Sequence, residues 1–219
     1  MKLQFSGEIE TRFPPFRVIV ESITNVNVAR YSEELEEFKE SVLQEVRNEY
    51  TLDELKNRPL FKAYRDFFWK IGIDPTKIRP ASEALIRRVL QNKPIPSVNA
   101  LVDAYNLASI RSGIPLAAFD KRTVEGDLYM RFAKKGEQFL GIGMKEPIEL
   151  TGNEIVVSDS KKLIAIYPYR DSDATKVTEN TKDIILMVCG VPGISDDLLE
   201  KAKLISLSYI MKFCGGSRN

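Results

Sequence analysis

The chain has 219 residues, 43% of them hydrophobic, with 32 basic against 31 acidic side chains and no histidine. That length can bury a large core, the missing imidazole excludes every scheme with a histidine base, nucleophile or metal ligand, and the balanced charge argues against nonspecific coating of nucleic acid. No apolar run is long enough to span a bilayer, and "MKLQFSGEIE" lacks a signal-peptide stretch, so a cytoplasmic location with no membrane partner is expected. "FRVIVESI" (Phe16 to Ile23) is read as a strand. "SEELEEFKESVLQEVRNEY" follows as a helix with Leu35, Phe38, Val42 and Val46 on its apolar face and acids in its first turn. Thr51 and Glu54 are spaced as a capping box ahead of a short helix. In "PLFKAYRDFFWKIGI" the apolar spacing predicts burial of Leu60, Tyr64, Phe67, Phe68 and Ile71, and Trp69 is read as core rather than as a base-stacking platform. A helix is expected from about Pro80 to Gln91, and another from Ser97 up to a stop at Gly113.

Beyond that point the period changes. "DLYMRFAKKGEQFLGIG", "EPIELTGNEIVVSDS" and "KLIAIYPYRDSD" alternate or run apolar between turn signals, and "KDIILMVCGVPG" has the continuous apolar run of a central strand. "SDDLLEKAKLISLSYIMKF" closes as a helix capped by Ser195 and ended by Gly215 and Gly216. Cys189 and Cys214 form no metal or redox motif and are read as packing residues. The pairs Arg87-Arg88, Lys134-Lys135 and Lys161-Lys162 are read as solvated charge. The expected class is α+β: a helical N-terminal half (1–96) packed on a mostly antiparallel sheet carried by 97–191, with a C-terminal helix in 192–219, all in a single domain.

Two polar concentrations stand out. Asn99, Asp103 and Asn106 recur at i, i+4 and i+7 on the helix after Ser97, although each competes with the backbone and lowers helix propensity. Asn99, nearest the helix start, is read as a pocket residue. Asp103 and Asn106 leave two readings open, a ligand contact or an anchor for the "GIPLAAFD" loop. Within that loop Gly113 is read as a C-cap and Pro115 as a stiffener. The second concentration is "RDSDATKVT". On an extended segment Asp171, Asp173 and Thr175 would share one face, with Arg170 and Ser172 on the other. Paired acids there would orient a water or bind an α-ammonium group. Without a third acid nearby they make a poor metal site, and no metal or other cofactor is expected.

Four segments, in order, carry a resemblance. Asn99, Val102, Asp103 and Asn106; Gly113, Pro115, Ala118, Phe119 and Asp120; Arg131, Ala133, Gly136 and Glu137; and Val177, Thr178, Thr181 and Ile184 resemble the pattern of the B3/B4 tRNA-editing domain of the phenylalanyl-tRNA synthetase beta subunit. The resemblance spans roughly Ser97 to Val191 and implies a B3/B4-like fold. In the synthetase, that domain removes tyrosine wrongly attached to phenylalanine tRNA. The resemblance therefore implies a freestanding relative that hydrolyses misacylated tRNA in trans, with the aminoacylated 3′ end as its partner. Two departures stand out: Ala117 replaces the histidine usual before Ala-Phe-Asp, and Tyr167, Arg170, Asp171 and Asp173 fill a segment that is glycine-rich in bacterial synthetases. A reshaped pocket follows.

On this reading Asn99, Asp171 and Asp173 carry the chemistry, while Asp103, Asn106, Pro115, Ala117, Phe119, Arg170 and Thr175 hold substrate. An aminoacyl ester is already activated and needs little beyond a positioned water and a polarised carbonyl. The alternatives are a noncatalytic RNA-binding or protein-interaction module that has lost the chemistry, and an enzyme acting on a small amino-acid derivative.

Overall fold

A computed structural model describes residues 1–218. The chain begins with β1 (Leu3–Phe5), α1 (Gly7–Arg12) and β2 (Ile19–Val26). Four helices follow: α2 (Glu33–Glu49), α3 (Leu52–Leu55), α4 (Pro59–Lys70) and α5 (Ala81–Leu90). Next come α6 (Ala100–Ser112), β3 (Leu116–Asp120), β4 (Leu128–Phe132) and a small hairpin of β5 (Gln138–Phe139) with β6 (Ile148–Glu149). The rest is β7 (Ile155–Ser158), β8 (Leu163–Ile166), β9 (Arg170–Asp171), β10 (Ile184–Val188), α7 (Asp196–Cys214) and β11 (Gly215–Arg218).

The strands form two main sheets rather than the one expected. The first has the order β11-β2-β10-β3 and is antiparallel throughout. The second, β1-β4-β7-β8-β9, is antiparallel except where β1 runs parallel to β4. Strand β10 lies between β2 and β3 and is buried on both faces, which accounts for its unbroken apolar run. Ile184 and Leu186 pack toward α2, α6 and α7, whereas Ile185 and Met187 pack toward the second sheet. The same alternation divides β3, with Ala118 on the helix side and Ala117 and Phe119 on the inter-sheet side. The first sheet is thus sandwiched between a helical layer and a second sheet.

The helices begin and end largely as their end residues dictate. Ser32 Oγ accepts the Leu35 N–H at 3.2 Å, and Ser195 Oγ accepts that of Leu198 at 3.4 Å. Thr51 makes no such bond, so the expected capping box is not formed there. Gly113 ends α6 in the left-handed region (φ 74°), and a side chain there would also press on Leu60. Gly215 and Gly216 end α7 as expected, and they also begin an edge strand that pairs with β2. Both cysteines are buried. Trp69 departs from expectation: Phe67 and Phe68 enter the core, but the indole is 56% exposed. Its position on the outward side of α4 follows from the 100° step between neighbouring helical residues.

Candidate functional site

The Asn99–Asp103–Asn106 line proves to be mainly a helix start. Asn99 stands in extended backbone as the N-cap of α6, and its Oδ1 accepts the Val102 N–H at 3.0 Å. The Asp103 carboxylate reaches back to accept the Val98 N–H at 2.9 Å and the Ser97 hydroxyl at 2.5 Å. Together they satisfy donors on both sides of the helix entry, in the manner of a capping box. Asn99 is 4% exposed and its side-chain oxygen is engaged as a cap, an arrangement that supports a structural role. Asp103 thus braces the entry to its own helix, and it makes no hydrogen bond to the "GIPLAAFD" segment among the described residues. Asn106 is half-buried and makes no side-chain hydrogen bond among the described residues.

The other motif residues are also largely framework. Asp120 is 3% exposed; its carboxylate accepts the Thr181 hydroxyl at 2.7 Å and Arg122 Nη2 at 3.1 Å. Burial works to raise that carboxyl, but the bonds from Arg122 and Thr181 outweigh it and hold it below the ordinary value. Thr181 Oγ1 also accepts the Thr178 N–H at 3.0 Å, tying the approach to β10 onto the end of β3. Arg131 and Glu137 form a two-bond ion pair at 2.7 and 2.9 Å, and Glu137 additionally accepts the Lys134 N–H. Pro115 offers its carbonyl to the Cys189 N–H at 3.0 Å, and Phe119 is wholly in the inter-sheet core.

"RDSDATKVT" does not stay extended. Strand β9 ends at Asp171, and residues 173–175 make a single 3₁₀ turn capped by Ser172. The shared face expected for Asp171, Asp173 and Thr175 is therefore not formed. Asp173 turns outward into an ion pair with Lys176 at 2.8 Å, and Thr175 is fully buried beneath the turn. Arg170 lies across Gly141, where even a Cβ would meet its side chain at 2.7 Å.

Of the residues in "RDSDATKVT", Asp171 faces a cavity between the sheets. The space, about 80 Å³, opens between the two sheets at the C-terminal end of β10. Ala117, Leu116, Met187 and Cys189 line it from the first sheet, Ala165 to Tyr169 and Asp171 from the second, and Ala81 from the start of α5. Of the residues expected at the site, only Ala117 and Asp171 line this space. Two buried tyrosines fix one wall: Tyr64 donates to the Cys189 carbonyl at 2.6 Å, and Tyr167 to the Gly190 carbonyl at 2.5 Å. The Asp171 carboxylate has no hydrogen bond or ion pair among the described residues. The residue is half-buried, open to solvent through the cavity, and desolvation by the surrounding walls pushes the carboxyl up to about 7, with neighbouring Arg170 pulling the other way. Its field acts on its neighbours too. Cys189 is raised by burial and then by Asp171, and Tyr105 on α6 is raised by burial and then by Asp171 and Asp103. A thiol so raised is no nucleophile. No group of three or more acids and cysteines able to hold a metal occurs among the described residues, and no described helix is long and apolar enough to cross a membrane.

Sequence reasoning placed Asp171, Ala117 and the Tyr167 segment at the pocket but missed the rest of this wall. Cys189, and the Tyr64 that donates to its carbonyl, come from distant segments whose apolar character signals only burial. Ala81 gives no signal at all.

Comparison with known proteins agrees with this fold. Residues 63–202 match the model of the B3/4 domain family. Phenylalanine–tRNA ligase beta subunits are similar in sequence: that of Aquifex aeolicus is 37% identical over 105 residues, covering 48% of this chain and 13% of that subunit. That of Lactobacillus acidophilus is 33% identical over 120 residues, covering 54% of this chain and 15% of the subunit. The matched region is thus a small part of those relatives' length. In structure, an N-terminal fragment of the phenylalanyl-tRNA synthetase beta subunit from Pyrococcus horikoshii superposes with a TM-score of 0.56 at 13% identity, over 99% of this chain and 50% of that one. Such distant similarity shows a shared fold, and the α+β class with mostly antiparallel sheets is the one expected. With the family model spanning β3, β10, all of the second sheet but β1, and every residue that lines the cavity, the chain belongs to the B3/4 domain family.

Proposed function

We propose that this protein hydrolyses the ester joining an amino acid to the terminal ribose of a tRNA, with the acyl group held in the inter-sheet cavity. The supporting observation is Asp171, an unpartnered carboxyl on the wall of that cavity, raised by burial to near neutrality. The kinship to phenylalanine–tRNA ligase beta subunits supplies charged tRNA as the substrate class. An aminoacyl ester is reactive enough that one positioned water and one proton acceptor suffice. Asp171, in its ionised form, takes a proton as the water oxygen attacks the carbonyl carbon. The C–O bond to the ribose then breaks, and the same proton passes to the departing ribose oxygen. An acceptor near 7 is suited to both halves of that exchange.

The start of α5 supplies a partner for the charge that builds on the carbonyl oxygen. Its first-turn amides have no side-chain cap, Ala81 borders the cavity, and the neighbouring Ser82 hydroxyl is buried without a hydrogen-bond partner. The cavity also limits the substrate. A dry protein cavity of about 150 Å³ accepts benzene, and this one has about half that volume. Glycyl, alanyl and seryl groups fit; a phenol or phenyl ring does not. Ala117, in place of the family's usual histidine, offers only a methyl group and does no proton chemistry.

The test is deacylation of tRNAs charged with glycine, alanine, serine, phenylalanine or tyrosine by wild type and by Asp171→Asn. The expected result is release of the small acyl groups only, with a loss of about 10²-fold or more in the variant, the usual worth of a general base. Release that survives the substitution, or release of the aromatic acyl groups alone, contradicts the proposal. Binding of tRNA with no release from any charged species identifies a noncatalytic module instead.

A further inference from the structure

Beside the acyl cavity runs a second, larger hollow of about 500 Å³ that the mechanism does not use. The two share Ile166, Tyr167 and Tyr169 as a common wall. Trp69 stands at the larger hollow, exposed on the outward side of α4 although its immediate aromatic neighbours are buried. Lys70 follows it in the chain, and Arg12, from the end of α1, comes in from another element. Neither cation has an acidic partner among the described residues. Arg12 rests its guanidinium on the rings of Phe132 and Phe13 at 4.9 and 5.5 Å, which holds it in place while leaving its charge unneutralised. The one acid in the hollow, Glu154, is already occupied by the Thr151 and Gly152 N–H groups and the Thr151 hydroxyl.

From this arrangement we infer that the hollow is the seat of the 3′-terminal nucleotide of an RNA, its base against Trp69 and its phosphate on Arg12 and Lys70. This rests on the proposed hydrolysis for its biological meaning, because a nucleotide so seated carries its ribose to the wall shared with the acyl cavity. The chemistry is specific to such a ligand. An exposed indole is a stacking platform for any base, two unpaired cations match the phosphate, and the volume suits a nucleotide. The hollow sets two unpaired cations against the single carboxylate of Glu154, so its lining is net positive beside an exposed aromatic face. An RNA end therefore complements it.

Trp69 is the sole tryptophan of the chain, so its emission reports this site without a label. The probe is the 5′-phosphorylated trinucleotide CCA, which carries no aminoacyl ester and so cannot be deacylated. Saturable quenching of Trp69 is expected with the trinucleotide and not with inorganic phosphate. By anisotropy of the labelled trinucleotide, Trp69→Ala should weaken binding roughly 5- to 150-fold, the range of base–aromatic stacking, whereas Trp69→Phe retains most of it. Replacing both Arg12 and Lys70 by alanine should also weaken binding and reduce its salt dependence. Asp171→Asn should bind the trinucleotide as wild type does, which separates this inference from the fate of the hydrolase reading. Quenching by phosphate alone, no change in emission with the trinucleotide, or unaltered affinity in Trp69→Ala or in the Arg12/Lys70 double variant overturns it.

Discussion

Replacing Asp171 by asparagine should stabilise the protein while disabling it. The carboxyl sits near 3.8 in an unfolded chain and at about 7 in the folded one, so the folded state holds a proton that the unfolded state gives up between those values. Its contribution to stability is complete below 3.8, is lost progressively as pH rises through about 7, and stays lost above that. At about 1.36 kcal/mol per pH unit the interval corresponds to roughly 4 kcal/mol as an upper bound, and water entering the open cavity brings the expected effect to about 2 kcal/mol. Asparagine has nearly the same shape and never ionises. Urea denaturation of both proteins at pH 4, 6 and 8, followed by circular dichroism, measures the difference. Agreement at pH 4, with asparagine more stable by about 2 kcal/mol at pH 8, is the expected outcome. A difference independent of pH, or none at pH 8, would refute the burial and isolation of this carboxyl.

Three further expectations follow from the same structure. Asn99→Ala removes the cap of α6 and should cost about 1 kcal/mol of stability, with deacylation per folded molecule unchanged; a large activity loss in a fully folded variant would return Asn99 to the site. Asp173→Asn removes only a surface ion pair with Lys176 and should change stability by less than about 0.5 kcal/mol and activity by no more than about twofold, measured by denaturation and deacylation. Cys189 and Cys214, both buried and raised by that burial, should resist iodoacetamide at pH 8 for as long as the protein stays folded, as read by mass spectrometry.

Much of the fold is legible in the residues themselves. The apolar stripe of α2, the serine cap of α7 and the doubly buried β10 all follow from local periodicity and end chemistry. The division into two sheets is not legible, because pairing partners such as β4 and β7 or β2 and β10 are fixed by tertiary contacts rather than by any local signal. Short β1 and α1, which add an edge strand to the second sheet and bring Arg12 to the larger hollow, give too brief a pattern to be read.

The candidate site shows a sharper contrast. The residues that make the family recognisable, Asn99, Asp103, Asp120, Glu137 and Thr181, mostly cap a helix, tie a strand end or brace a turn. Their polar character signals that each must be satisfied, and here the chain satisfies them internally. Asp171 lies where the family pattern breaks, and its isolation depends on β9 ending after it so that Asp173 turns away. A strand-period argument projected both acids onto one face because it could not see the 3₁₀ turn. Trp69 misled for a related reason: aromatic residues clustered in sequence suggest a core, but neighbouring positions on a helix point in different directions.

The most direct test is the pH dependence of single-turnover deacylation for a small acyl-tRNA, corrected for spontaneous ester hydrolysis. If ionised Asp171 accepts the proton of the attacking water, the wild-type rate climbs about tenfold per pH unit at acidic pH and levels off above about 7, while Asp171→Asn loses both the rate and the inflection. A wild-type profile with no inflection near 7, or one shared unchanged by the asparagine variant, would contradict it.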